Sequence, residues 1–93
     1  MKASMRYLFA LLALFFGSAE AAALYYSPSC SHCHKVIDYL EAKNLSIPQK
    51  NIQNPAYLKE LSQLGGSSVP ALEENGRLIV GSDKIIKHLE VQK

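Results

Sequence analysis

Within residues 23–91, apolar side chains switch repeatedly between the two-residue spacing of a strand and the roughly 3.6-residue spacing of a helix. Few folds accommodate that alternation in so short a stretch. Ala23-Leu24-Tyr25-Tyr26 is apolar and aromatic and stops at Ser27-Pro28-Ser29, which predicts a buried first strand. Cys33, Val36, Ile37 and Leu40 then recur at i, i+3, i+4 and i+7, the stripe of an amphipathic helix. Ser29 is its expected cap, and Asn44 suits its C-terminal end. A weaker strand spans Ile47 to Ile52, where Pro48 implies either a sheet edge or an early start. Asn54-Pro55 reads as a cap followed by proline at the first helical position, and Leu58, Leu61 and Leu64 carry that helix to Gly65-Gly66. Val69 to Glu73 and Arg77 to Val80 are short strands joined through Glu74-Asn75-Gly76, whose Asn-Gly step is a strong hairpin signal. Ser82 is the expected cap of a last helix, with Asp83 in its first turn and Ile85, Ile86 and Leu89 on one face.

The order βαβαββα predicts an α/β fold. Strands alternating with helices imply a parallel pair, and the closing hairpin adds antiparallel pairing, giving a mixed four-stranded sheet flanked by helices. Such a small domain buries about 60% of its unfolded surface, so its periodic apolar residues are all expected to serve the core. The preceding residues read differently. Met1 to Arg6 is a short basic head, Tyr7 to Phe16 an uncharged apolar run, and Gly17-Ser18-Ala19-Glu20-Ala21 a small-residue tail. That pattern predicts a secretory signal peptide over 1–21, with cleavage after Ala22 or Ala23 equally compatible and a retained membrane anchor as the alternative. The run falls well short of the roughly 20 residues of a membrane-spanning helix, so no stable span is expected after removal. The expected location is secreted or periplasmic, an oxidising setting. With a formal charge of +2 and scattered lysines and arginines, the chain has no electrostatic footprint for nucleic acid.

Cys30-Ser31-His32-Cys33 sits where the first strand gives way to a helix. At a helix N-terminus, Cys30 receives free N–H groups and the positive end of the helix dipole, which favour thiolate over thiol. Cys33, one turn deeper on the apolar face, is shielded. That asymmetry separates an attacking sulfur from a resolving one, and a protonated His32 would favour the reduced form. A purely structural bridge would restrain the unfolded chain little across so short a loop. No metal is expected, because a closed zinc site needs four ligands and no second cysteine pair exists. Cys30-Ser31-His32-Cys33-His34 also fits the Cys-x-x-Cys-His signature of covalent haem attachment. Against haem, both methionines, Met1 and Met5, lie in the expected signal, and the motif follows a strand.

With the first strand, Cys30-x-x-Cys33, Ser68-Val69-Pro70 and Val80-Gly81-Ser82-Asp83 placed, the domain over 22–93 resembles the glutaredoxins, within the thioredoxin-like fold. The resemblance implies that Cys30 is the nucleophile and Cys33 the resolving thiol. It implies that Pro70 is a cis proline facing them and that Val69 offers its backbone to an extended substrate. Gly81, Ser82 and Asp83 correspond to the segment that holds the γ-glutamyl end of glutathione. That role agrees with a helix N-terminus receiving a carboxylate and Asp83 pairing with an ammonium group. A plain helix cap accounts for Ser82-Asp83 equally well. Three segments depart from the usual pattern: Ser31-His32 stand for Pro-Tyr, Ser27 for a lysine, and Val80-Gly81 for Gly-Gly. A histidine before the second cysteine is similar to the exported disulfide oxidases. The expected activity is thiol–disulfide exchange on protein or small-molecule disulfides by a monomer with no bound cofactor and with glutathione as candidate co-substrate. A non-catalytic binding module of the same fold is the alternative.

Overall fold

A computed structural model of the chain describes residues 22–91; the expected signal peptide over 1–21 lies outside the described residues. The elements are β1 (Ala22–Tyr26), α1 (Ser31–Ala42), β2 (Gln49–Asn51), α2 (Pro55–Gln63), β3 (Ala71–Glu74), β4 (Arg77–Val80) and α3 (Ser82–Val91). They form one four-stranded sheet in the order β2-β1-β3-β4. β1 runs parallel to β2 and antiparallel to β3, and β3 pairs antiparallel with β4. The fold class is therefore the α/β arrangement that the alternating periods predict.

Alternation along the strands divides the core into two layers. Leu24 faces its cross-strand partner Leu72, and both join Val36, Leu40, Ile85 and Leu89 beneath α1 and α3. Tyr25 and its partner Ala71 point the other way and meet Leu61 of α2. The second layer is thin. Leu58, expected on the packed face of α2, is 47% exposed, so Leu61 alone is fully buried in that helix.

Local chemistry sets the boundaries. β2 is shorter than Ile47 to Ile52 because Pro48 has no N–H; its carbonyl instead accepts the Leu24 N–H at 2.8 Å. α1 ends in a left-handed Asn44, with N–H groups of Asn44 and Leu45 donating to the Glu41 and Leu40 carbonyls. That is the pair of bonds of a Schellman cap. Asn54 caps α2 by accepting the Ala56 N–H at 3.0 Å. In the hairpin, Glu74 pairs with Arg77 across a two-residue loop, and Asn75 and Gly76 both take positive φ, the backbone of a type I′ turn. β3 begins at Ala71, two residues later than expected, because Pro70 cannot donate to a ladder; its carbonyl accepts the Gly81 N–H at 3.0 Å.

Two expected caps are displaced. Cys30, not Ser29, caps α1. Gly81, not Ser82, supplies the first helical carbonyl of α3, accepting the Ile85 N–H at 3.0 Å. His88 of α3 is half-buried, with Nε2 2.6 Å from Glu74 Oε1. Among the described residues no helix is long and apolar enough to cross a membrane.

Candidate functional site

The β1–α1 junction is built to expose one sulfur and bury the other. Cys30 keeps an extended backbone (φ −95, ψ 112) while the next residue turns helical. Its N–H donates to the Ser27 carbonyl at 3.1 Å, and its carbonyl accepts the His34 N–H at 3.1 Å. Its Sγ accepts the Cys33 N–H at 3.0 Å. The sulfur thus does what a serine or aspartate oxygen does at other helix N-termini, satisfying an amide that has no partner within the helix. Cys30 is half-buried, whereas Cys33 is 0% exposed on the apolar stripe with Val36 and Leu40. The two are joined as a disulfide, with Cα atoms 5.1 Å apart.

His34 has a positioning part that its place in the sequence did not suggest. Its Nε2 lies 2.6 Å from the Pro28 carbonyl oxygen, tying the first turn of α1 back over the loop before the cysteines. A histidine four residues after a helix-capping cysteine carries no general sequence signal for such a bond, since the acceptor is a backbone carbonyl.

Across from Cys30 lies the chain entering β3. The Val69–Pro70 peptide bond is cis, Pro70 is buried, and the Val69 carbonyl oxygen is 3.9 Å from Cys30 Sγ. An open groove of about 320 Å³ runs from there along the start of α3, lined by His32, Val69, Pro70, Val80, Gly81, Ser82, Asp83 and Lys84. The fold therefore brings His32, Val69, Pro70, Gly81, Ser82 and Asp83 to one groove beside Cys30, with Cys33 buried behind it. Ser82 is buried, while His32 and Asp83 are exposed. Gly81 adopts φ +105 with open space where a Cβ would stand. Asp83 is not free: its Oδ1 is 3.0 Å from Nζ of Lys35 on α1. Sequence reasoning missed that partner because 48 positions separate the two residues. Among the described residues, no three His, Cys, Asp or Glu side chains gather as a metal site.

A second polar cluster lies on the opposite face of the sheet. Glu60 Oε1 accepts from Tyr25 Oη at 3.0 Å and from Lys50 Nζ at 2.9 Å, and Lys50 sits 5.4 Å and 5.5 Å from the ring centres of Tyr25 and Tyr57. The hydrogen bond from Lys50, then that from Tyr25, holds the Glu60 carboxyl below the ordinary glutamate range. Burial, then the Glu60 acceptor, pushes the Tyr25 hydroxyl up. The cluster ties β1, β2 and α2 together behind the cysteine groove.

Residues 24–93 match the family described as the glutathione S-transferase N-terminal domain. The chain is 33% identical over 82 residues to a probable glutaredoxin of Acanthamoeba polyphaga mimivirus, an alignment covering 74% of this chain and 77% of that protein. Its structure is similar to a thioredoxin-like protein at a TM-score of 0.65, with 20% identity over 78% of this chain and 95% of the other. It is similar to glutaredoxin C1 from Populus tremula x tremuloides at a TM-score of 0.60, with 18% identity over 80% and 78% of the two chains.

Proposed function

This chain belongs to the glutaredoxin family of thioredoxin-like proteins, and from that premise we propose that it is a thiol–disulfide oxidoreductase working through Cys30 and Cys33. The observation that carries the reading is the pairing of a half-buried, helix-capping Cys30 Sγ, which accepts the Cys33 N–H at 3.0 Å, with a fully buried Cys33. In the reduced protein the same amide and the helix dipole favour negative charge on Cys30, while burial keeps Cys33 a thiol. Cys30 thiolate attacks one sulfur of a substrate disulfide, and the other sulfur leaves as a thiolate with the electron pair of the broken bond. Cys33 gives up its proton and attacks Cys30 Sγ, expelling the second substrate thiolate and closing the Cys30–Cys33 disulfide. Two electrons pass to the substrate. Two external thiol equivalents, such as glutathione, restore the dithiol.

The adjoining groove supports glutathione as that thiol. The γ-glutamyl carboxylate would sit at the first N–H groups of α3, around Ser82 and Asp83, and its ammonium group would exchange with Lys35 for the Asp83 carboxylate. Val69, beside Cys30 Sγ, would hold the extended cysteinyl backbone. His32 lines the same groove and, when protonated, adds positive charge that favours the reduced couple. In this reading residues 1–21 direct export and the monomeric domain works in an oxidising compartment. The test is a pair of variants assayed with glutathione disulfide. Cys30→Ser is expected to lose turnover, and Cys33→Ser to accumulate a glutathione adduct on Cys30, located by mass spectrometry. Full exchange by Cys30→Ser would overturn the mechanism, whereas a parent chain that does not exchange with glutathione disulfide would leave a binding module of the same fold.

A further inference from the structure

We propose that the groove between α3 and the outer strand β4 docks an extended, acidic segment of the protein whose disulfide is exchanged at Cys30. This rests on the oxidoreductase reading and names the substrate class for it. Continuity with the cysteine groove comes first. The α3–β4 groove, about 610 Å³, is larger than the one beside the cysteines, and Lys84 lines both, so a polypeptide reaching Cys30 continues directly into it. Lys84, Lys87, His88 and Val91 recur at i, i+3, i+4 and i+7, so one stripe of α3 faces the strand across the groove.

Charge sets the chemistry of the occupant. Arg77, Lys84 and Lys87 line this groove, and among the described residues none of them meets a carboxylate, whereas Lys35 is paired with Asp83 and Lys50 with Glu60. The acidic residue of the groove, Glu74, is engaged by His88 at 2.6 Å. A site lined this way favours an anionic partner and rejects a basic one.

The strand edge sets the partner's shape. β4 is outermost in the sheet. Glu74 and Arg77 flank the two-residue turn and Leu72 faces Ile79, so ladder hydrogen bonds use the backbone of Arg77 and Ile79 and turn that of Leu78 and Val80 outward. An extended segment can add there as a further strand, with alternate side chains directed at the lysine stripe. Ile79 on the floor and Val91, 72% exposed on the rim, offer it apolar contact.

The test uses the full chain and two probes. The first is a fluorescent, cysteine-free peptide alternating Glu with Val, compared with its Gln counterpart by anisotropy. The Glu peptide is expected to bind about tenfold tighter at low ionic strength, with the gap closing toward about 0.5 M salt. The double variant Arg77→Glu/Lys87→Glu is expected to abolish the gap, and Arg77→Gln/Lys87→Gln to halve it or more should charge reversal impair folding. The second probe is a peptide mixed disulfide flanked by Glu or Gln, with neutral 2-hydroxyethyl disulfide as reference. kcat/KM is expected to favour the Glu peptide about three- to tenfold in the parent chain, while both double variants turn over the reference within about twofold. Equal binding of Glu and Gln peptides, or a preference that survives both double variants, overturns docking. Charge-dependent binding without turnover of the reference disulfide upholds the docking groove and overturns the oxidoreductase reading instead.

Discussion

Leu61 and Gly66 should act as one packing unit, and a double-mutant cycle can measure it. Leu61 is 1% exposed and is the fully buried residue through which α2 grips the sheet, against Tyr25 and Ala71. Truncating such a leucine removes its transfer energy and leaves a void, costing about 2–5 kcal/mol. At about 0.05–0.15 kcal/mol per residue, a domain of this size holds only roughly 4–10 kcal/mol in all, so Leu61→Ala alone consumes a large share. Gly66 lies directly over the same side chain. A Cβ built there would be 2.6 Å from Leu61 Cδ1 and 2.7 Å from Leu78 Cδ1, inside any normal contact. Gly66→Ala should therefore cost about 1–3 kcal/mol by overpacking. In the Leu61→Ala background one of those two clashes disappears and the added methyl fills part of the void. The double variant should then be less destabilised than the sum of the singles by about 1–2 kcal/mol. Urea unfolding of the four proteins, with the cysteines kept oxidised, gives the interaction energy. Additivity within about 0.3 kcal/mol would refute the contact, as would a neutral Gly66→Ala.

Three further outcomes follow from the geometry. The depressed Glu60 carboxyl stabilises the fold above its unfolded value and loses that contribution as pH falls through the folded one; the urea midpoint of the parent chain should drop between about pH 5 and pH 3, and Glu60→Gln should flatten that part of the curve. Gly76 has φ +82 with nothing within 4 Å of the place a methyl would occupy, so Gly76→Ala should cost about 1–2 kcal/mol in urea unfolding from backbone conformation alone and leave disulfide exchange unchanged. The Lys35–Asp83 pair is exposed, with side chains at 58% and 89%, so Asp83→Asn should shift stability by less than about 1 kcal/mol. If Asp83 receives the glutathione ammonium group, the same variant should raise KM for glutathione disulfide severalfold with kcat little changed, which steady-state kinetics reads directly.

The alternation of periods made the element order legible, and β4 begins and ends where Arg77 to Val80 predicts. Legibility failed where a backbone group, not a side chain, decided the outcome. Pro48 shortens β2, yet its carbonyl still serves β1, which residue type alone cannot reveal. The sequence placed a cysteine at the start of α1 without indicating that its sulfur would displace Ser29 as the cap. Leu58 keeps the helical spacing of Leu61 but falls on the flank of a nine-residue helix that covers little of the sheet. The candidate site residues lie in three short motifs, which the fold brings together beside one groove. Their partners were not legible: Lys35 for Asp83, Pro28 for His34 and Glu74 for His88 are brought together by the turns between elements.

Site-resolved alkylation of the reduced protein tests the central claim most directly. A brief pulse of iodoacetamide at about pH 6, where an ordinary thiol is scarcely ionised, followed by peptide mass spectrometry, reads which sulfur is anionic and reachable. Label is expected on Cys30 at a rate well above that of free cysteine, with Cys33 spared. Equal labelling of both cysteines, or a Cys30 no faster than the free amino acid, would contradict that claim.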